Sequence, residues 1–316
     1  MAKRIPRKNL QPETLVDDVA RTFAGKTDRQ AKAVSAVLGR HLVCLAFTYA
    51  WLDEKGNTYG KQHFYACTAF VIEIDGIWFL TTAGHVLKED IHDPVKKGQI
   101  KILSCKFADY FGMNAKVRIP TPFEYEGALK TWVDDRKIGL DLGLIHLRQQ
   151  YRDQMAANGV LPVAEENWSG QGPLDFDACG LYGFPSDLTH KGSPAVETDE
   201  AMQGSVHPVY ISLQPEPNPG VPIPKSILPW FVGRLNPHPA VPDIKGMSGA
   251  PIFGFRRGRD GQLRHWIIAL QSRWDRDKKI IFGCPVPNFA EIVQALLRRN
   301  RERLRKRKTK KKRRSV

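Results

Sequence analysis

The sequence is poor in cysteine and has no long apolar run, and both absences narrow the class of protein. Five cysteines are scattered through 316 residues, without a Cys-x-x-Cys pair or a Cys/His spacing typical of zinc. This pattern argues against a disulfide framework and against a metal site. Met1–Glu13 contains no apolar stretch of the kind a secretory signal needs, and the longest uncharged apolar run, Leu42–Leu52, is too short to span a bilayer. We therefore expect a reduced, soluble, cytoplasmic protein with no membrane span.

Acidic residues are scarce relative to basic ones, and the imbalance lies at one end. The chain has 33 Asp and Glu against 48 Lys and Arg, a net charge of +15. Arg298–Arg314 holds thirteen Lys or Arg and one acid, Glu302, so it carries +12 and leaves +3 for the body. Such a self-repelling run predicts a disordered tail, 298–316. It either solubilises the chain or contacts an anionic partner such as nucleic acid, an acidic protein or a membrane surface. Because no aromatic residue interrupts the run, base stacking is not expected.

Short runs of strand-forming residues dominate the chain from His41 onward, and their close spacing favours a barrel or sandwich. Apolar residues at helical spacing within Thr14–Leu38 predict one or two helices before this region. Asn288, with Glu291 three residues later, predicts the start of a closing helix. His207–Pro242 contains ten prolines in 36 residues and is typical of loop or broken edge strand. It is either a surface insertion or a loop that shapes a cleft.

Three short segments contain the residue types that acyl transfer needs. They are Thr82-Ala83-Gly84-His85, Asp141 leading an apolar strand, and Gly246-Met247-Ser248-Gly249. Alone, each has an ordinary structural explanation as a satisfied histidine, a capping acid or a glycine turn. Together they place His, Asp and Ser in that order, separated by 56 and 107 residues. A serine hydroxyl needs an adjacent base, histidine titrates near neutrality, and a buried carboxylate fixes its tautomer.

The glycine before the serine has its own predicted role. Without a Cβ, Gly246 lets the backbone turn so that its N–H and the N–H of Ser248 point the same way. Two such groups make an oxyanion hole.

The three segments resemble those of the chymotrypsin-like (trypsin-like) serine peptidases, in the cytoplasmic, disulfide-free form seen in bacteria. Thr82-Ala83-Gly84-His85 is similar to the family's Thr/Ser-Ala-Ala-His, and Asp141-Leu142-Gly143-Leu144-Ile145 to its Asp-Ile-Ala-Leu-Leu. Gly246-Met247-Ser248-Gly249-Ala250-Pro251 is similar to its Gly-Asp-Ser-Gly-Gly-Pro. The resemblance spans residues 41–297.

The resemblance implies an all-β fold of two antiparallel six-stranded β-barrels with the triad between them. His85 and Asp141 would come from the first barrel and Ser248 from the second. The expected organisation is an N-terminal helical extension (1–40), barrel 1 (about 41–160), barrel 2 (about 161–297) with a C-terminal helix, and the tail.

Four positions depart from the family pattern or extend it. Met247 stands where animal members have an acid that pairs with a freed N-terminus, so activation by N-terminal trimming is not expected. Pro242 occupies the position that often sets the primary pocket, with Asp243 beside it, so no preference for Lys or Arg is predicted. Ser272 either matches a serine that hydrogen-bonds the triad acid or is an ordinary strand serine. We take Pro242, Asp243 and Ser272 as candidate substrate-binding residues.

These observations predict a serine endopeptidase that cleaves polypeptides through an acyl-enzyme intermediate, without a metal or cofactor. The alternative is a catalytically silent trypsin-like binding module whose basic tail, Arg298–Arg314, contacts nucleic acid or another anionic partner.

Overall fold

The computed structural model describes residues 37–108, 120–169, 176–186, 208–237, 241, 243–258, 260 and 263–314. The helices predicted within Thr14–Leu38 therefore lie almost wholly outside the described residues. Asn114–Ile119, one of the short strand-forming runs of the sequence, also lies outside them.

The first half of the fold is an antiparallel sheet of seven strands in the order β5-β4-β1-β2-β3-β7-β6. The strands are β1 (Leu42–Leu52), β2 (Thr58–Ile74), β3 (Ile77–Thr82), β4 (Ile100–Ala108), β5 (Thr121–Pro122), β6 (Lys130–Asp135) and β7 (Leu140–His146). The prediction of a closed six-stranded barrel differs from this, since pairing within the described chain ends at β5 and β6. One edge strand, β5, has only two residues, and Pro122 has no N–H to continue a ladder.

Two short helical elements flank this sheet. Immediately after β3 the chain forms a π-helix, Val86–His92, which continues as α1 (Asp93–Lys96). Helix α2 (Gln149–Ala157) follows β7 and leads toward the second half.

The second half is a closed six-stranded barrel, as predicted, with the order β10-β13-β12-β11-β8-β9. Its strands are β8 (Ala178–Gly183), β9 (Val209–Pro215), β10 (Phe231–Leu235), β11 (Pro251–Arg257), β12 (Leu263–Asp275) and β13 (Ile280–Pro285). The proline-rich segment contributes β9 and β10, which the sequence analysis did not separate from loop. Its prolines flank these strands rather than interrupt them: Pro208 precedes β9, Pro215 ends it, and Pro229 lies before β10.

The chain closes with helix α3 (Val286–Arg314). Near its start the helix buries Val286, Phe289 and Ala290, and Arg301 ties it to the β2–β3 turn through Nη1 at 2.8 Å from Asp75 Oδ2. Where the sequence predicts a disordered tail, the helix continues to Arg314, because Arg, Lys, Leu and Glu are all strong helix formers. Among the helices of the described chain, none combines the length and apolarity needed to cross a bilayer.

One apolar cluster joins the two halves. It contains buried residues of the sheet, such as Phe70 and Leu142, together with Phe253, Leu270 and Cys284 of the barrel. A second cluster fills the barrel interior around Ile252 and Met247. The shared cluster fixes the sheet against the barrel and therefore fixes the side chains at their junction.

One buried histidine, His41, and one half-buried histidine, His265, make the fold sensitive to acid. His41 Nδ1 donates to the Leu161 carbonyl at 2.8 Å, and Arg40 Nε donates to His41 Nε2 at 3.4 Å, so the ring is satisfied as the neutral tautomer. Burial, with smaller contributions from the charges of His265 and Arg40, lowers the His41 pKa from 6.5 to about 3. Burial likewise lowers the His265 pKa to about 4. The unfolded chain therefore takes up protons below pH 6.5 that the folded chain does not bind.

We expect the free energy of unfolding to fall as the pH drops from 6.5 toward 4, by about 1.4 kcal/mol per pH unit for each of the two histidines. Urea unfolding at pH 6.5 and 5 measures this. His41→Gln keeps a donor for the Leu161 carbonyl. It should remove the contribution of His41 to the pH dependence of the unfolding free energy. A wild-type stability that is flat between these pH values contradicts the prediction.

Candidate active site

The pairing of β3 with β7 brings the predicted histidine and acid together. His85 follows the end of β3, and Thr82 of that strand pairs with Gly143, two residues after Asp141 on β7. His85 Nδ1 lies 2.7 Å from Asp141 Oδ2, and the backbone N–H of His85 donates to Asp141 Oδ1 at 2.8 Å. Because a carboxylate only accepts, the proton of the neutral ring lies on Nδ1. Nε2 is then left with a free lone pair.

The barrel completes the surroundings of this carboxylate. β12 pairs with β13 irregularly between Gln271 and Arg273, so Ser272 lies at a bulge. The Ser272 hydroxyl donates a hydrogen bond to Asp141 Oδ2. From β13, the sulfur of Cys284 accepts the backbone N–H of Asp141 at 3.2 Å. Asp141 is thus held by groups from both halves of the fold.

Hydrogen bonds and charges around the pair favour an ionised acid beside a basic imidazole. The side chain of Asp141 is 1% exposed and that of His85 is 22% exposed. Burial opposes ionisation of Asp141, but hydrogen bonds from His85 and Ser272 and the His85 charge outweigh it and lower the Asp141 pKa. Burial also opposes protonation of His85, but Asp141, with the charges of Asp90 and Asp134, raises the His85 pKa above 6.5.

Ser248 lies in a tight turn that precedes β11 and packs against the His85 segment. Gly249 donates its N–H to the Gln271 carbonyl at 2.9 Å, which ties the turn to β12. Gly249 has φ +91°, and a Cβ there would lie 2.2 Å from Thr82 Oγ1 and 3.0 Å from the Ala83 nitrogen. Only glycine therefore allows the serine turn to approach the residues that lead into His85.

Among the described residues, the hydrogen bond expected between Ser248 and His85 is not formed. Both residues are described, Ser248 is partly exposed, and no hydrogen bond joins its hydroxyl to His85 Nε2. Catalytic hydrogen bonds of this kind are often long or misaligned before substrate binds.

The backbone around Gly246 is fixed so that two amide groups face away from the protein's own acceptors. The Lys245 carbonyl accepts the Ser186 N–H at 2.8 Å, and the Met247 carbonyl accepts the Ala250 N–H at 2.8 Å. In a trans peptide the N–H points opposite the carbonyl, so the N–H groups of Gly246 and Ser248 point away from those partners. Among the described residues neither N–H has an acceptor.

The other predicted pocket residues are placed differently. Pro242 lies outside the described residues. The Asp243 carboxylate is engaged within the protein, since Oδ2 is 3.0 Å from Arg276 Nη2 and Oδ1 accepts the Lys245 N–H at 2.8 Å.

The sequence analysis missed two residues that contact the candidate site. Cys284 contacts the backbone of Asp141, and Thr68, in the middle of β2, donates its N–H and hydroxyl to the Gly246 carbonyl at 3.4 and 3.3 Å. Neither has a local sequence signal, because both act across the junction of the two halves. Within the described chain no cluster of three or more His, Cys, Asp or Glu side chains could hold a metal ion.

No protein-family model and no curated protein matches the sequence. The solved structures to which this chain is similar include a thermostable serine protease, AL20, from an extremophilic microorganism (12% identity, TM-score 0.38, 78% of this chain and 91% of that chain). Protease Anisep from Arthrobacter nicotinovorans is similar at 11% identity and TM-score 0.38, over 78% of this chain and 90% of that chain. The scabies mite inactivated protease paralogue S-I1 is similar at 9% identity and TM-score 0.44, over 81% and 94%. At these values the likeness by itself assigns neither a family nor an activity.

Proposed function

We propose that the chain is a serine endopeptidase of the chymotrypsin-like class. The observation that carries the proposal is the doubly held carboxylate of Asp141, which binds His85 through both oxygens and leaves Nε2 free beside the Ser248 turn. An acid buried to 1% exposure that orients an imidazole is what general-base activation of a serine requires. The five unpaired cysteine thiols support a reducing compartment, so we also propose a cytoplasmic location.

The proposed reaction runs in two halves. Ser248 Oγ attacks the scissile carbonyl while its proton passes to His85 Nε2, and the N–H groups of Gly246 and Ser248 hold the developing oxyanion. The imidazolium, stabilised by Asp141, returns the proton to the leaving amine, which leaves an acyl-enzyme. Water, deprotonated by His85, then attacks the ester and releases the acid and the free Ser248 hydroxyl. No step needs a metal or a cofactor.

A fluorophosphonate probe tests this assignment directly, because it phosphonylates only an activated serine and releases fluoride. We expect the wild-type chain to be labelled at neutral pH in reducing buffer and Ser248→Ala to remain unlabelled. Ser104→Ala, a half-buried serine on β4, is the matched control and should label like the wild type. A folded wild type that is not labelled, or labelling that survives in Ser248→Ala, refutes the proposal.

The raised pKa of His85 predicts how labelling depends on pH. The neutral imidazole is the base, so the rate should fall as the pH drops through the His85 pKa. Since that pKa is held above 6.5 by Asp141, Asp90 and Asp134, the midpoint of the acidic limb should lie above pH 6.5. The measurement is the second-order labelling rate between pH 5 and 9. A midpoint at or below 6.5 contradicts the charge arrangement described here.

A second candidate function rests on helix α3. The Arg301–Asp75 ion pair anchors the helix, and ten Lys or Arg follow within 303–314. We propose that this distal part binds the phosphates of nucleic acid without reading sequence, because charge is present and aromatic residues are not.

The test compares binding of a short duplex DNA by the whole chain and by a truncation after Glu302, which keeps the Arg301 anchor. We expect the truncation to bind about a hundredfold more weakly at low salt, and the affinity of the whole chain to fall steeply as salt increases. Ser248→Ala should bind like the wild type. Equal binding by the truncated chain rejects this second function.

A further inference from the structure

Two consecutive residues of β12 contact two neighbouring carboxylates of the first sheet. Ser272, at the bulge, donates to Asp141 Oδ2. Arg273, the next residue, has its Nη2 3.5 Å from Oδ1 of Asp134 on β6. Asp134 is the residue of β6 that pairs directly with Asp141 of β7. The barrel therefore supplies one donor to each acid of a cross-strand pair.

The two carboxylates lie on the same face of the sheet. Residues that are directly opposite on antiparallel strands have Cβ atoms about 4.5–5.5 Å apart, and like charges there destabilise the pairing. Asp141 has a partner in His85, which it contacts through both oxygens. Asp134 makes no contact with a histidine, and Arg273 is the cation that lies beside it. The arginine thus reduces the repulsion between the two acids.

The ion pair between Arg273 and Asp134 is exclusive within the part of the chain that the structure describes. No other Lys, Arg or His there contacts the Asp134 carboxylate, and the buried Nε of Arg273 has no hydrogen-bond partner there. The side chain of Asp134 is 10% exposed and that of Arg273 is 27% exposed, so water and salt screen the pair only in part. Loss of either side chain leaves the other charge unpaired.

The charge of Asp134 acts on the proposed base. Asp141 on β7, Asp90 on the π-helix and Asp134 on β6 each favour the charged imidazolium and so raise the pKa of His85. The proposed reaction starts from the neutral ring, so each additional negative charge reduces the fraction of His85 that can act as the base near neutral pH. Arg273 places a positive charge beside one of these three acids.

Other titratable groups on the elements around His85 do not replace Arg273. They are Lys88, Glu89 and His92 of the π-helix, Lys130 and Asp135 of β6, His146 of β7 and Cys284 of β13. Among the described residues none of them forms an ion pair with Asp134 or Asp141. Lys130 Nζ instead donates to the Tyr125 carbonyl at 2.8 Å, and burial raises the pKa of the Cys284 thiol, which keeps it neutral.

We propose that Arg273 is a positioning residue of the active site: it binds Asp134 and offsets its charge, so that no unpaired second carboxylate lies opposite the acid that orients His85. The proposal rests on the endopeptidase function above and adds a barrel residue that acts on the base without touching it. With Arg273 in place, His85 is neutral at a lower pH than it would be beside an unpaired Asp134.

The titration of His85 tests this role without catalysis. In the full-length Ser248→Ala chain, NMR follows the imidazole Hε1 resonance of His85 between pH 5 and 9, assigned by its loss in His85→Gln. We expect Arg273→Gln to raise the midpoint by roughly 0.3–0.7 pH unit, the equivalent of a partly exposed ion pair. Arg273→Lys keeps the charge and should stay close to the parent. Asp134→Asn should lower the midpoint, and Arg273→Gln combined with Asp134→Asn should return it to near the parent value.

Arg264→Gln is the matched control. Arg264 lies at the other end of β12 and pairs with Asp260 at 3.0 Å, so its loss should leave the His85 midpoint unchanged. A midpoint that stays the same or falls in Arg273→Gln, or that rises equally in Arg273→Lys, overturns the proposal. Thermal unfolding checks that each variant folds. If Arg273→Gln does not fold, Asp134→Asn decides, because an unchanged midpoint there also overturns the proposal.

Probe labelling separates the charge effect from a structural one. In the chain that retains Ser248, Arg273→Gln should label roughly two- to fivefold more slowly at pH 6 and at the wild-type rate at pH 9, where the ring is neutral in both chains. An equal loss at both pH values indicates a structural role and overturns the proposal. If the wild type is not labelled at all, the proposed function fails, and the titration in Ser248→Ala still decides the role of Arg273.

Discussion

Replacing Asp141 by asparagine is expected to lower the rate of fluorophosphonate labelling by about four orders of magnitude. The carboxylate accepts three hydrogen bonds, from the Nδ1–H and backbone N–H of His85 and from the Ser272 hydroxyl. The asparagine amide has one acceptor oxygen, so its N–H groups would face the donors that this oxygen does not accept. The amide N–H groups therefore favour the His85 tautomer that carries its proton on Nε2. In that tautomer Nε2 cannot accept the Ser248 proton, so His85 no longer acts as the base.

The control for this variant is Ser272→Ala, which keeps the carboxylate and removes one donor. We expect a loss of tenfold or less, because His85 still holds both oxygens of Asp141. Thermal unfolding of both variants checks that they fold. If Asp141→Asn labels within tenfold of the wild type, the carboxylate does not orient the base and the proposed mechanism fails.

The structure brings two of the predicted residues, His85 and Asp141, into contact because both lie in short segments next to paired strands. His85 and Asp141 each lie at the end or start of a strand with small neighbours, and strand pairing alone brings them together. Ser272, for which two explanations were open, contacts Asp141 because of a bulge in β12. A bulge is set by the register of two strands, which no local pattern reveals.

Closure of the first sheet and the length of the last helix could not be read from local patterns. Whether a sheet closes depends on its edge strands, and β5 is a two-residue strand with a proline that periodicity does not detect. The basic tail was predicted from its charge, which opposes order, whereas the helix propensity of the same residues acts in the other direction. Composition alone does not decide between these two effects.

The second prediction with a large expected effect concerns the backbone at Gly246. Gly246 has φ +84°, and a Cβ built on it would lie 2.2 Å from Ser186 Oγ and 2.9 Å from the Ser186 nitrogen. Gly246→Ala must therefore rotate this peptide, which moves the Gly246 N–H away from the proposed oxyanion. We expect the labelling rate to fall by about 10²–10³, the effect of losing one oxyanion donor.

A matched control separates this geometry from the general strain of a left-handed alanine. Gly220 has φ +68°, and a Cβ at that position would have no atom within 4 Å, so Gly220→Ala carries the backbone strain alone and should label at the wild-type rate. Adding Ser186→Gly to Gly246→Ala removes the clash with the side chain but not with the nitrogen, and should restore only part of the rate. If Gly246→Ala labels as fast as Gly220→Ala, the Gly246 N–H has no part in binding the oxyanion, and the hole must be formed by other donors.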